Sequence, residues 1–410
     1  MERVYLDNAA TTVVRPEVVE AMQIAFTKAF GNCSSMYEEG EYAKSLLENA
    51  RATVASVLNA DPKEIYFTSC GSESDNWALK GAALKYGNKK KKIIVSSIEH
   101  HAILHTCDSL AKQGFEIVKL RVDENGIVDM EQLKNELDDN TLIVSVMLAN
   151  NEIGTIEPVK EIAALCREKK VLCHTDAVQA VGSIPVDVKD LGVDMLSLSG
   201  HKLNAPKGIG AFYLRKGVVI SNFMDGGGQE RGKRAGTENL PYILGLAKAM
   251  ELASAEMDNN IKKITSMRDE LISAIETEIP YCKLNGHRTQ RLPGNVNFSF
   301  NFIEGESMLL LLNDKGFACS TGSACASGSL DPSHVLLAIG LPHEIAHGSV
   351  RISIGKFNTR EEVMSIVPAL KEIVQRLRDM SPIYEDFIKG REMQQGTCAR
   401  CNDDDNCNIK

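Results

Sequence analysis

The sequence predicts an α/β protein built on a mostly parallel sheet with helices on both faces. Three observations carry this expectation. From about residue 16 to 215, short apolar runs alternate with helical patterns, as they do when strands are joined by crossover helices. The 410 residues are 43% apolar and 25% charged, an ordinary globular composition with room for about two or three domains. Beyond about residue 240 the alternation gives way to a long helical stretch and then a second, smaller α/β segment at about 280–385.

Residues 16–30, PEVVEAMQIAFTKAF, read as a helix with proline in its first turn. Strands are expected at EIYFT (64–68), KIIVS (92–96), TLIVSVML (141–148), KVLCHT (170–175), VDMLSLS (193–199) and GIGAFYL (208–214). The basic run 89–92 reads as a solvated loop ahead of its strand. The stretch 240–278 reads as two helices, followed by strands at NVNFSF (295–300) and SVRISI (349–354). After about Gly390 the pattern stops, and the polar tail is expected to be disordered. The chain shows no internal repeats.

A formal charge of −9 leaves no basic footprint for nucleic acid. The N-terminus lacks a signal-peptide pattern, and the longest apolar runs fall well short of the roughly 20 residues a membrane span needs. A cytoplasmic protein that binds neither membrane nor nucleic acid is the expectation. Eleven cysteines, an odd number, are too sparse for a disulfide scaffold. In a reducing compartment they point to buried, catalytic or metal-binding thiols.

The chemistry is expected at strand exits, where open α/β sheets bind ligands. Asp176 follows one apolar strand and Lys202 another. A lysine there is placed to act as a neutral amine and form a Schiff base. A carboxylate at the neighbouring exit could keep a pyridine nitrogen protonated, and that pairing is how proteins tune pyridoxal phosphate. In FTSCGSESDNWALK, a strand runs into Gly71 and Ser72 and then a helix from near Glu73, an arrangement suited to an anion. Ser199 and His201 flank the lysine as further donors. Residues 316–336 form a loop rich in Gly, Ser and Ala, with Cys325 near its middle. Cys107, Cys166 and Cys173 lie in apolar patterns and read as buried, whereas Cys325 has little around it to bury it. An unperturbed thiol, pKa about 8.5, is only slightly ionised at neutral pH, so a nucleophilic Cys325 needs a base or cation nearby. Arg351 sits inside a strand pattern, where it serves either to recognise a carboxylate or as half of a structural ion pair.

In order, the motifs YLDNAATT, TSCGSESDN, EHHAILHTC, NNEIGT, HTDAVQAVG, SLSGHKLNAPKGIG, GGGQERGKRAGTEN, EGES, GSACASGSL and VRISIG resemble those of group I cysteine desulfurases of the NifS/IscS type, within the class V aminotransferase family. The resemblance runs from Tyr5 to about Pro382. It implies the fold of type I pyridoxal-phosphate transferases, with a mainly parallel seven-stranded sheet in a large domain and a smaller α/β domain. The large domain would span 13–255, the small one 1–12 and 256–390, and the cysteine-containing tail 391–410. It also implies a homodimer that takes L-cysteine, with a NifU/IscU-like scaffold as sulfur acceptor in iron–sulfur cluster assembly. Carried over by motif, Lys202 would hold pyridoxal 5'-phosphate, Asp176 its ring nitrogen and Gln179 its phenolic oxygen. His100 would stack on the ring and handle protons. Gly71, Ser72, Ser199 and His201 would bind the phosphate, joined by Thr237 of the other subunit. Asn151 and Arg351 would orient the substrate. Cys325 would accept the sulfur, and the same thiol is a candidate transient cluster ligand.

Selenocysteine lyase or cysteine sulfinate desulfinase activity is the alternative within this group; service mainly as a cluster-assembly partner is the alternative outside it. Three features depart from the family pattern. Cys33 stands where a proline is usual, with its thiol placed near the site entrance. Cys319 precedes Cys325 by a few residues and reads as a bystander more readily than as a sulfur relay. The tail carries Cys398, Cys401 and Cys407, which could bind a metal or cluster, receive sulfur, or be incidental thiols in an acidic tail.

Overall fold

A computed structural model describes residues 3–321 and 332–399, with side chains described as far as Gly390. The strands are β1 (Val4–Tyr5), β2 (Ile65–Thr68), β3 (Lys92–Ser96), β4 (Glu116–Leu120), β5 (Thr141–Ser145), β6 (Leu172–Asp176), β7 (Met195–Ser199), β8 (Gly210–Leu214), β9 (Cys282–Leu284), β10 (Asn295–Phe300), β11 (Phe317–Ala318) and β12 (Ser349–Ser353). Seven of them form one sheet in the order β2-β8-β7-β6-β5-β3-β4. Pairing is parallel from β7 through β6, β5 and β3 to β4, and antiparallel at β2–β8 and β7–β8. The inner strands are buried along nearly their whole length, which is why they read as continuous apolar runs.

β4 is the strand the hydrophobic pattern does not announce. It lies at the sheet edge, and only Leu120 among its residues is buried. An edge strand with one covered face needs no apolar run. Lys92, the residue shared by the basic run and the expected strand 92–96, belongs to β3. It is buried, and its Nζ meets Asp138 Oδ2 at 2.7 Å.

The stretch read as two helices is a single one, Leu240–Glu278. Its first part, Leu240 to Met250, packs into the core of the large sheet. Its last part, Met267 to Ile275, packs into a second core with Leu6, Phe298, Phe300 and Ile352. The polar middle therefore spans two cores instead of marking a turn, and no glycine or proline interrupts it after Gly245. The second core lies against the sheet β12-β10-β9, and beside it β1 pairs with β11. The N-terminal segment crosses to this smaller sheet through Asp7, which bridges to Ser353. The last helix, Pro382–Ala399, continues beyond Gly390 and includes the backbone of Cys398. Cys401 and Cys407 lie outside the described residues, as does Cys325. No described helix is long and apolar enough to cross a membrane.

Candidate active site

The carboxyl ends of β6 and β7, near the middle of the large sheet, open into a cleft of about 250 Å³. Asp176 is the last residue of β6. Its Oδ1 accepts the Val178 N–H at 2.8 Å. Burial raises its pKa to about 6, against the lowering effect of that bond and of the Lys202 charge. Lys202 ends a tight turn, Gly200–Lys202, directly after β7. Its Nζ donates to the carbonyls of Ala9 and Ala10 at 2.7 and 2.8 Å. Gln179 donates to the Ala9 carbonyl as well, at 3.0 Å. A lysine amine and a buried carboxylate thus share the cleft wall.

The helix Gly71–Tyr86 aims its start at the same space. Cys70 is its N-cap and makes no side-chain capping bond, so the first N–H groups of the helix remain available to an anion. Gly71 is required for close packing, since a Cβ there would stand 2.5 Å from Val178 Cγ2. Ser72 lines the cleft beside it, and so does Ser199, whose buried Oγ has no partner among the described residues. A buried hydroxyl without a partner is costly, and a phosphate oxygen would satisfy it. His201 contributes from the cleft wall. Its Nδ1 lies 3.2 Å from Thr11 Oγ1, and burial, then Lys202 and Lys207, lowers its pKa to about 4.

His100 caps the helix His101–Ala111, with Nδ1 accepting the Ala102 N–H at 3.1 Å. That bond requires an unprotonated Nδ1. Burial first, then Lys202 and the neighbouring imidazoles, drives the pKa to about 4. The ring is therefore neutral and fixed in orientation. On the opposite wall Arg351 rises from β12, 2% exposed. Its Nη1 donates to the Asn151 carbonyl and its Nη2 to Asp7 Oδ1, both at 2.9 Å. Both readings of this arginine thus have a physical basis: it is in an ion pair, and it lines the cleft.

Gly71, Ser72, His100, Asn151, Asp176, Gln179, Ser199, His201, Lys202 and Arg351 all border this one cleft. Thr237 does not; it is exposed, outside the cleft of its own chain. Cys319 is partly buried near Asp7, and both desolvation and that carboxylate push its thiol pKa up, which disfavours the thiolate a relay needs. Cys33 is packed in the core of the large sheet rather than at the entrance. Burial, chiefly, pushes its pKa up to about 11. Cys107, Cys166 and Cys173 are buried as expected. Among the described residues no group of three or more His, Cys, Asp and Glu is placed to hold a metal.

Sequence reasoning passed over Asp7, Asp75, Glu152, His174 and His334. His174 had a readable signal, because positions 174 and 176 share a strand face. Asp7 and Glu152 had none locally. Asp7 reaches the site through a pairing more than 300 residues away in sequence. Glu152 lines the cleft and accepts from the Ser333 hydroxyl, and His334 Nε2 lies 2.9 Å from the Glu99 carbonyl oxygen.

Residues 4–366 match the family model described as aminotransferase class-V. The chain belongs to that family. The chain is 56% identical over 380 residues to a protein named cysteine desulfurase IscS from Methanosarcina thermophila, covering 93% of this chain and 94% of the relative. It is 54% identical over 395 residues to one of the same name from Clostridium botulinum strain Hall, covering 95% and 99%. A solved NifS-like protein superposes with a TM-score of 0.86 at 40% identity, covering 92% of this chain and all of that one. NifS-like members of the family depend on pyridoxal 5'-phosphate. The cleft suits that cofactor: an amine, a buried carboxylate, an uncapped helix start and an orphaned serine hydroxyl converge on it.

Proposed function

We propose that the chain is a cysteine desulfurase that takes sulfur from L-cysteine, releases L-alanine and carries the sulfur as a persulfide on Cys325. The observation behind this reading is that Lys202, Asp176 and Arg351 line one cleft, which brings a Schiff-base amine, a ring-nitrogen acceptor and a carboxylate receptor together. Lys202 holds the cofactor, with Asp176 at its ring nitrogen, Gln179 at its phenolic oxygen and His100 over its ring. Gly71, Ser72, Ser199 and His201 hold the phosphate, and Thr237 of a second copy completes that site. Bound pyridoxal phosphate supplies the electron sink for bond breaking at the substrate carbons.

The rest is work for side chains. Arg351 fixes the substrate carboxylate through charge-assisted hydrogen bonds, worth about 1.5–3 kcal/mol each, and Asn151 borders the same position. Lys202 Nζ, displaced by the substrate amine, moves the Cα proton. His100, neutral at working pH, can exchange a proton with the substrate thiol. Cys325 thiolate forms an S–S bond to the substrate sulfur as the substrate C–S bond breaks. The electron pair stays on carbon, which is protonated to give alanine, so no outside oxidant is needed. The shared name of the relatives favours cysteine over selenocysteine or cysteine sulfinate.

A homodimer fits the exposed apolar side chains of Val13, Phe26, Phe30, Met36 and Tyr37 in the N-terminal part of the chain, which an interface would cover. The acceptor is a NifU/IscU-like scaffold, and the setting is the cytoplasm, where a reactive thiol stays reduced. The test is alanine and sulfide formed from L-cysteine with a reductant, in wild type and in Cys325→Ala. Equal amounts of both products, lost in the variant while the cofactor spectrum persists, support the reading. Undiminished activity in the variant removes Cys325 from its role, and a cofactor-loaded wild type that releases no alanine removes the substrate.

A further inference from the structure

Beneath the cleft, on the sheet face that carries Asp176, lies a closed set of polar side chains that the reaction just described does not use. His174 precedes Asp176 by two positions on β6, so both project from the same face. Its two ring nitrogens are taken by hydroxyls: Nδ1 lies 2.8 Å from Ser145 Oγ and Nε2 lies 3.0 Å from Ser197 Oγ. Ser197 stands opposite Asp176 in the β6–β7 ladder. From the helix Gly71–Tyr86, Asp75 enters this set, 1% exposed. Its Oδ1 has no hydrogen-bond partner among the described residues, lies 3.8 Å from His174 Nε2, and belongs to a side chain that borders the same cleft as Asp176. Ser197 is a polar neighbour that lowers the Asp75 pKa, against the larger raising effect of burial.

Two buried carboxyls that border one cleft and repel each other do not both ionise readily. Asp176 has compensation for a negative charge: the Val178 N–H, the Lys202 ammonium on the same wall and, on the proposed function, a protonated ring nitrogen. Around Asp75 the groups are of another kind. His174 is desolvated, with a pKa lowered to about 3, and supplies no positive charge. Asp176, Glu99 and Cys70 act on Asp75 as negative or acidic neighbours. The imidazoles that line the cleft, His100, His101, His201 and His334, all have pKa values lowered by burial and supply no fixed positive charge either. Burial and these neighbours push the Asp75 pKa well up. One proton shared by the pair therefore resides on Asp75.

We propose that Asp75 is a positioning residue for the cofactor-binding carboxylate: it stays a neutral carboxylic acid beside Asp176, against the Ser197–His174 pair, and so reserves the negative charge for Asp176. It touches neither substrate nor reacting atoms. It acts by fixing which of two neighbouring acids is ionised, from a place beside the Ser197–His174 pair in the β6–β7 ladder. The inference rests on the assignment of Asp176 to the ring nitrogen.

The experiment uses three variants of the full-length protein. Infrared difference spectra of the cofactor-free protein, wild type minus Asp75→Asn, are expected to show a protonated carboxyl band at neutral pH. In the holoenzyme Asp75→Asn, which copies the neutral acid, is expected to keep cofactor affinity and the pH profile of the bound-cofactor absorbance within about twofold of wild type. Asp75→Leu removes the polar carboxyl beside Asp176 and is expected to weaken cofactor binding about fivefold or more and to shift that pH profile. Absence of the infrared band, or equal damage in Asn and Leu, means that Asp75 works as an anion and overturns the proposal. A Leu variant indistinguishable from wild type overturns the positioning role. Should Leu fail to fold, the infrared band and the Asn profile still decide. Asp176→Asn, measured in parallel, isolates the underlying assignment: if it leaves cofactor binding and spectrum unchanged, it is the ring-nitrogen assignment that fails.

Discussion

The two walls of the cleft solve the problem of polar groups in a protein interior in opposite ways. The wall built by the large sheet is tuned by burial. Asp176 is pushed up to about 6, His100 and His201 are pushed down to about 4, and Glu99, just behind, is pushed up to about 8. In each case desolvation is the leading cause. The wall built by the N-terminal segment and the small sheet is tuned by pairing, with Arg351 held between Asp7 and the Asn151 carbonyl. The first wall disfavours charge until a ligand supplies the counter-charge, which suits a cofactor that stays. The second keeps a full positive charge ready, which suits a substrate carboxylate that comes and goes. Preorganisation of either kind lowers the cost of binding.

The strongest break in this contrast is Lys202→Ala. It removes the amine from the burial-tuned wall and is expected to lower alanine formation by roughly 10²–10⁴-fold, the usual weight of a positioned proton-transfer group. Arg351→Lys touches only the pairing-tuned wall. Loss of bidentate recognition is expected to raise KM for L-cysteine about 10- to 100-fold, with the bound-cofactor absorbance unchanged; steady-state kinetics and a spectrum read both.

The burial-tuned wall also predicts how the cofactor-free protein responds to pH. His100 and His201 have folded pKa values below their unfolded value, so their contribution is present above about pH 6.5 and is lost as pH falls through about 4. Asp176 and Glu99 have folded values above their unfolded ones, so theirs is complete below about pH 4 and is lost as pH rises through about 6 and 8 respectively. Denaturant titration is expected to show maximal stability near neutral to mildly acidic pH. On either flank the slope approaches about 1.4 kcal/mol per pH unit for each titrating group. A stability plateau extending to pH 9 contradicts the burial account.

The smallest effect is expected from Asp7→Asn. It removes the counter-ion of Arg351 but keeps a hydrogen-bond acceptor, and is expected to cost about 1–3 kcal/mol of stability. Added L-cysteine, whose carboxylate replaces the lost charge, should recover part of it in a thermal scan. An equal ligand-induced gain in wild type and variant denies Asp7 that role.

How much of this was legible depended on how locally each residue is placed. Asp176, Lys202, Ser199 and His201 sit at the ends of apolar strands, and strand ends can be read from pattern alone. Gly71 and Ser72 were legible because a strand runs straight into a helix, although the helix begins at Gly71 and not near Glu73. Motif resemblance supplied Gln179, His100 and Asn151, which spacing alone does not single out, whereas Arg351 stood out as a charge inside a strand pattern. Asp7 and Asp75 were missed for different reasons. Asp7 gains meaning only through long-range pairing of the N-terminal segment with β12, and Asp75 lies in a helix whose inward face is decided by the sheet beneath it. β4 escaped because an edge strand needs no apolar run, and Leu240–Glu278 was divided because a helix spanning two cores turns polar between them.

The most direct test of the two-wall account measures cofactor affinity and KM for L-cysteine together in Asp176→Asn and Arg351→Gln. The account predicts a clean division: Asp176→Asn loses cofactor affinity and alters the bound-cofactor spectrum, while Arg351→Gln binds cofactor as wild type does and needs at least about tenfold more L-cysteine. Loss of cofactor binding in Arg351→Gln, or an unchanged KM there, would contradict it.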